Sequence, residues 1–214
     1  MTITADNLCK RFNREWVFKN FSYTFTPGQC YAITGPNGSG KSTLMQLLWG
    51  QVPPSSGTVN YHEGQLQILP EEIYKAVSIA TPYMELIEEF TLLEMARFHY
   101  RFKKAYDDMQ PLELIHRWGL GHAAGKMIAN FSSGMKQRLK LGLAFYTDTP
   151  LLFLDEPTTN LDKKSIDWYL ETLGKSPAAR LVLIASNQSH EYPQGAVKID
   201  LMDFKQVTSS QKTA

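Results

Sequence analysis

Eight consecutive residues, Gly35-Pro36-Asn37-Gly38-Ser39-Gly40-Lys41-Ser42, hold the clearest chemistry in this chain. Glycines at 35, 38 and 40 let the backbone turn its N–H groups inward, so that successive amides make a concave nest for an anion. Lys41 adds an ammonium that can reach β- and γ-phosphates, and Ser42 a hydroxyl that can ligate Mg²⁺. The bland alternative is a glycine-rich turn with an incidental lysine. The flanks argue against it. Tyr31-Ala-Ile-Thr34 enters the turn as a short strand, and Leu44, Leu47 and Leu48 leave it at helical spacing, placing the partial positive charge of a helix end beneath the nest.

A second constellation lies far along the chain, where the apolar run Leu151 to Leu154 ends in Asp155-Glu156. An acid at the carboxyl end of a buried parallel strand points into the ligand crevice. Asp155 is suited to hold Mg²⁺, and Glu156 to polarise an attacking water, because adjacent residues point differently and can divide the two tasks. Without the phosphate loop, the same pair would read as a solvated turn.

The elements that must position these groups alternate. Short strands are expected at Phe21–Thr26, Gly57–Tyr61, Ala76–Ala80, Leu151–Leu154 and Leu181–Ala185, with helices after Lys41, from Gly134 and from Lys163. Such alternation predicts a parallel sheet with helices on its faces. Between Tyr83 and Asn130 the pattern turns helical: Thr91-Leu-Leu-Glu94 has capping-box spacing, and Leu112, Ile115 and Trp118 share a face that stops at Gly119. Val197–Val207 reads as one or two edge strands, and Ser209–Ala214 as a frayed tail.

Composition bounds the rest. The chain has 214 residues, room for one substantial domain, and its net charge of +1 gives no footprint for nonspecific nucleic-acid binding. No apolar run approaches the roughly 20 residues of a membrane span, and the N-terminus lacks the pattern of a secretory signal. Cys9 and Cys30 have no metal-ligand spacing and read as two reduced, buried thiols.

Pro157-Thr-Thr-Asn-Leu-Asp162 follows the acidic pair, and Asn130-Phe-Ser132-Ser133-Gly134-Met135-Lys136-Gln137-Arg138 precedes its strand. With the phosphate loop, these resemble the four linked motifs of the ABC ATPases: Walker A, the signature, Walker B with its glutamate, and the D-loop. The resemblance covers nearly the whole chain. It implies an α/β P-loop NTPase fold, RecA-like, with a parallel-sheet core, an antiparallel β subdomain and a helical insert. The division is 1–82 and 131–208 for the core, 83–130 for the helical subdomain. It also implies ATP and Mg²⁺ as cofactors, a second ATPase subunit, a separate transmembrane subunit, and a cytoplasmic place on the inner face of the plasma membrane. Gly35 to Ser42 with Thr43 would cradle the phosphates, Phe12 would stack on adenine, and Asn187 stands at the switch position. Ser132 can cap a helix whose free N–H groups, with Gly134, would meet the partner's ATP.

The chain departs from that family's pattern at four places. Ser133 replaces a glycine, which a negative φ would allow, and Met135 replaces a glutamine. Asn187 stands where the family has a histidine, and can donate a hydrogen bond without carrying charge. No glutamine follows the strand at Val77 to Ala80, where Thr81-Pro82-Tyr83 takes its place. Two functions follow: the ATP-hydrolysing subunit of a membrane transporter, or an ATP-gated subunit that hydrolyses weakly. The stretch Ala185-Ser-Asn-Gln188 in a short chain also looks like the ATPase subunits of haem-export or cytochrome c maturation systems.

Overall fold

The computed structural model describes residues 1–205. Thr2–Phe12 (β1) and Glu15–Phe25 (β2) form a long antiparallel hairpin that turns at Asn13, an asparagine tolerating a left-handed φ of 53°. Cys30–Thr34 (β3) leads through the glycine-rich loop into Lys41–Leu48 (α1). Ser56–Glu63 (β4) and Leu66–Ile68 (β5) complete a four-stranded antiparallel sheet in the order β2-β1-β4-β5. This is the antiparallel sheet the resemblance implied. β1 and β5 add strands that no sequence pattern announced.

Val77–Ala80 (β6), Leu92–Phe102 (α2), Pro111–Arg117 (α3), Ser133–Phe145 (α4), Leu151–Asp155 (β7), Lys163–Gly174 (α5), Leu181–Ala185 (β8) and Val197–Asp200 (β9) follow in turn. The second sheet has five strands, ordered β6-β7-β8-β3-β9, and every pairing in it is parallel. Its central strands β7 and β8 are buried along their whole length, which is why they read as unbroken apolar runs. Parallel pairing brings the carboxyl ends of β3, β7 and β8 to one edge, where helices and loops begin.

Three apolar clusters hold these layers. One lies between the two sheets around α1, with Phe18, Phe21, Leu44, Met45 and Phe153. A second packs Leu141, Ala144 and Phe145 of α4 and Tyr169 of α5 on the far face of the parallel sheet. The third gathers α2 and α3 about Trp118, and again includes α4 through Leu139 and Leu143. The capping box at Thr91 forms as predicted: Glu94 N donates to Thr91 Oγ1, and Thr91 N donates to Glu94 Oε2 at 2.8 Å.

The Val197–Val207 stretch gives one edge strand, β9, within the one or two expected. After β9 the chain turns through a short 3₁₀ segment, Leu201–Phe204, because Asp200 Oδ1 accepts from Met202 N at 2.9 Å and Leu201 is fully buried. Val207 and the tail Ser209–Ala214 lie outside the described residues. One expectation needs correction: Cys9 is buried, but Cys30 is only partly so, since it begins β3 beside a surface hollow.

Candidate nucleotide site

The glycine-rich loop connects β3 to α1 with Gly35, Gly38 and Gly40 all at positive φ. Gly40 is the most constrained: at φ 103° a Cβ would lie 2.2 Å from Val17 Cγ1, so the loop can pack on β2 only without a side chain there. Lys41 is 5% exposed and arches over the loop, donating to Gly35 O at 2.9 Å and Pro36 O at 3.3 Å. Ser39 N closes the turn onto Pro36 O at 3.0 Å. Ser42 and Thr43 begin α1, half-buried beneath the loop.

Asp155 ends β7 at the same sheet edge, 1% exposed. Its Oδ1 has no hydrogen-bond partner among the described residues. Burial pushes its carboxyl up to about 6, while the Ser42 hydroxyl and the Lys41 ammonium pull the other way. A buried acid with one oxygen unpartnered, beside a hydroxyl, offers the oxygen ligands of a hard divalent cation, so these residues fit Mg²⁺. Glu156 adopts φ 44°, a left-handed conformation costly for a residue with a Cβ, and its N–H donates to Ala185 O at 2.9 Å. Its charge adds to the upward push on the Asp155 carboxyl. From the end of β8, Asn187 Nδ2 donates to Asn37 Oδ1 at 2.8 Å, which brings the switch position onto the phosphate loop. His190 does not reach that loop. Its Nε2 lies 3.3 Å from Thr158 Oγ1.

The predicted base contact has a separate wall. Phe12 is 51% exposed at the tip of the β1–β2 hairpin and lines a cleft with Asn13 to Val17, Gly38 and Lys205, so ring and phosphate loop face one space. Lys10 Nζ sits 5.0 Å from the Phe12 ring centroid.

Ser132 and Gly134 stand elsewhere. Ser132 Oγ accepts from Met135 N at 3.2 Å and caps α4, as predicted, and Ser133 is absent from the positive-φ residues, so it fits its place. Gly134 faces the loop after β7: a Cβ there would lie 2.9 Å from Asn160 O. The surrounding hollow is lined by Ser132, Gly134, Arg138, Asn160 and Asp162 among others, and by nothing from residues 35–42. Within one chain the structure therefore brings Lys41, Ser42, Asp155, Glu156 and Asn187 together and leaves the signature apart.

Sequence reasoning missed three contributors. Val17 seals Gly40, Lys205 Nζ reaches Gly38 O at 3.4 Å, and Glu191 holds Thr158 from the loop after β8. Each is a lone residue outside any motif. Only the three-dimensional fold shows its reach.

A phosphate loop between a parallel strand and a helix, with an acid at the end of a central parallel strand, defines a P-loop NTPase. The family model described as ABC transporter matches residues 18–159. The chain belongs to that family and is an ATP-binding subunit of the ABC transporter class. It is 30% identical over 185 residues to an ABC transporter ATP-binding protein, YybJ, of Bacillus subtilis, covering 86% of this chain and 84% of that one. It is 29% identical to the daunorubicin/doxorubicin resistance ATP-binding protein DrrA of Streptomyces peucetius, covering 99% of this chain and 65% of that one. The Nod factor export ATP-binding protein I of Sinorhizobium fredii is 32% identical, over 76% of this chain and 48% of its own length. Among solved structures, the ATP-binding subunit of an ABC transporter superposes with a TM-score of 0.74 at 24% identity, over 87% of this chain and 79% of that one. A dimeric bacterial ABC transporter cassette gives 0.77 at 21%, over 93% and 94%. Both share the fold.

Proposed function

We propose that this chain hydrolyses ATP as one half of a dimer and thereby drives a separate transmembrane subunit. The single observation that carries the reading is the meeting of Lys41, Ser42, Asp155, Glu156 and Asn187 at one sheet edge, while Ser132 and Gly134 line a different hollow. A triphosphate seated in the loop would be wrapped by amides 35–43 and by Lys41, with its base against Phe12. Ser42 and Asp155 would hold Mg²⁺, which neutralises phosphate charge when bound. Glu156 takes the proton of the attacking water, and Asn187 orients groups near the terminal phosphate. The capped end of α4 would complete the partner's site, and this chain's site would be completed by the partner's in return.

The helical stretch 83–130 is the unit that would carry motion to the membrane subunit, with 1–82 and 131–208 as the core. A hollow of about 520 Å³ on the core, reached by the start of the helical stretch, supports a docking role. Trp49, Ile73, Tyr74, Tyr83, Met84 and Asp155 line it among others, and Tyr83 is 79% exposed. No helix among the described residues is long and apolar enough to cross a membrane, so the spanning part of such an assembly would come from another subunit or segment. The place proposed for this chain is the cytoplasmic face of the membrane.

The test is turnover and binding in the purified protein. Glu156→Gln is expected to keep ATP affinity and to lose about 10²- to 10⁴-fold in kcat. Lys41→Ala is expected to lose affinity. Unchanged turnover in the first, or unchanged affinity in the second, sinks the assignment. An ATP-gated, weakly hydrolysing subunit is the second reading, favoured by the neutral Asn187 and by Thr81-Pro82 where a glutamine would stand. ATP-driven dimerisation without turnover in the unmodified protein would select it.

A further inference from the structure

One core carboxylate, met above only as the partner of Thr158, has been given no part in the chemistry. Glu191 is 1% exposed. Its Oε1 accepts from Thr158 N at 2.9 Å and from the Thr158 hydroxyl, and its Oε2 has no hydrogen-bond partner among the described residues. Its backbone carbonyl accepts from Tyr169 OH at 2.6 Å, which anchors the residue to α5. A buried carboxylate held by two donors from a single residue is costly, and an apolar side chain would pack there more cheaply.

The geometry around it forms a continuous path. Thr158 lies two positions beyond Glu156, whose N–H is bound to Ala185 O at the end of β8. Asn187, two positions beyond Ala185, donates to Asn37 of the phosphate loop. His190 Nε2 is within 3.3 Å of the Thr158 hydroxyl, which already donates to Glu191 and so accepts from the ring. The loop after β7 and the loop after β8 are thus pinned together twice, at Glu156–Ala185 and at Thr158–Glu191, and the second loop is pinned to the phosphate loop.

We propose that Glu191 is a positioning residue, which clamps Thr158 and thereby fixes the Glu156 carboxylate and the Asn187 amide around the terminal phosphate. It rests on the hydrolytic reading above and adds a residue to it. Removing the clamp leaves the phosphate nest intact, so binding survives while the geometry of attack degrades.

The experiment is a double-mutant cycle in the full chain, with Glu191→Gln, Thr158→Val and the pair. Hydrolysis gives kcat and KM, a fluorescent ATP analogue gives Kd, and thermal melting checks the fold. Each single change is expected to lower kcat about 10- to 100-fold with KM and Kd within about twofold, and the pair to be no worse than either. Thr158→Ser, which keeps the hydroxyl, should restore turnover. Independent multiplicative losses in the pair overturn the clamp, as does a rise in Kd that tracks a falling Tm, because a merely structural role predicts both. Should Glu191→Gln fail to fold, the contrast of Thr158→Val with Thr158→Ser decides alone: equal turnover in the two overturns the proposal. An unmodified protein that binds ATP but does not turn it over defeats the hydrolytic reading instead, and the two failures are distinct.

Discussion

The Lys140 ammonium donates to Pro82 O at 2.8 Å and to Thr81 O at 3.2 Å, joining the middle of α4 to the segment that leaves β6. Those two carbonyls occupy the stretch without a glutamine. Burial, and behind it the Lys136 charge, pulls the Lys140 pKa down, yet the cation stays because two carbonyl dipoles surround it. One turn earlier, Lys136 pairs with Glu88 of the same connection.

Lys140→Met keeps the aliphatic stem and removes both hydrogen bonds, so that Pro82 O loses this donor while Thr81 O keeps only Met84 N at 3.3 Å. A loss of about 1–3 kcal/mol in denaturant stability is expected, with faster amide exchange over residues 81–90. Unaltered exchange in that segment would show that the contact does not hold it.

Asp155 predicts a pH effect of defined sign. Burial raises its folded pKa to about 6 from the ordinary 3.8, so in the nucleotide-free protein its charge is a cost, absent below the unfolded value and fully present above the folded one. Asp155→Asn is therefore expected to be more stable than the parent by about 1–3 kcal/mol at pH 7.5, the gap closing toward pH 4. The same variant should lose the Mg²⁺ dependence of ATP binding. Urea melts at the two pH values, without nucleotide, measure the first effect. A gap that widens on acidification refutes the sign.

His99 works in the opposite direction. Its Nε2 lies 2.8 Å from Thr147 Oγ1, and that hydroxyl donates to Leu143 O at 2.6 Å, so the imidazole donates and stays neutral. Burial first, and the Lys103 charge second, push its pKa down to about 4. The unfolded chain binds the extra proton between about pH 6.5 and 4, so this contribution is complete above the window and is lost as pH falls through it. His99→Gln should cost stability at pH 7.5, with the deficit shrinking by about 1–2 kcal/mol at pH 4.5 after allowance for partial exposure. A deficit independent of pH would contradict the assignment.

Arg180 is a buried guanidinium that no carboxylate pairs with among the described residues. It donates to Phe145 O at 2.8 Å, Ala144 O at 3.1 Å and Thr147 O at 2.8 Å, closing the carbonyl end of α4, where the helix dipole is negative. Arg180→Met removes this donor from Phe145 O and Ala144 O, while Thr147 O keeps Thr149 N at 3.0 Å, and should cost about 3–5 kcal/mol. Arg180→Lys, a single point charge, should recover only part. Equal stabilities of Met and Lys variants would reduce the site to packing.

What was legible in the chain beforehand was local. Gly35 to Ser42 and the capping box at Thr91 are contiguous, and Leu151 to Asp155 reads as a buried strand because both its faces are covered. β1 was illegible for a physical reason: Asn7 and Asn20 at positive φ and the register shifts along the hairpin break the alternation that marks a strand. The Glu191 clamp crosses 33 positions and the Lys140 contact 59, so no window along the chain holds both ends. The place of Phe12 was legible only through resemblance, since nothing in Lys10-Arg-Phe12 points toward Gly38.

α4 supplies side chains to two apolar clusters at once, Leu141 and Phe145 to one, Leu139 and Leu143 to the other. It has no face it can surrender. A lesion along it weakens the sheet layer and the helical layer together, so evolution can retune either neighbour only while leaving this shared wall alone. The helix whose capped end would reach across a dimer is thus also the one on which both layers lean.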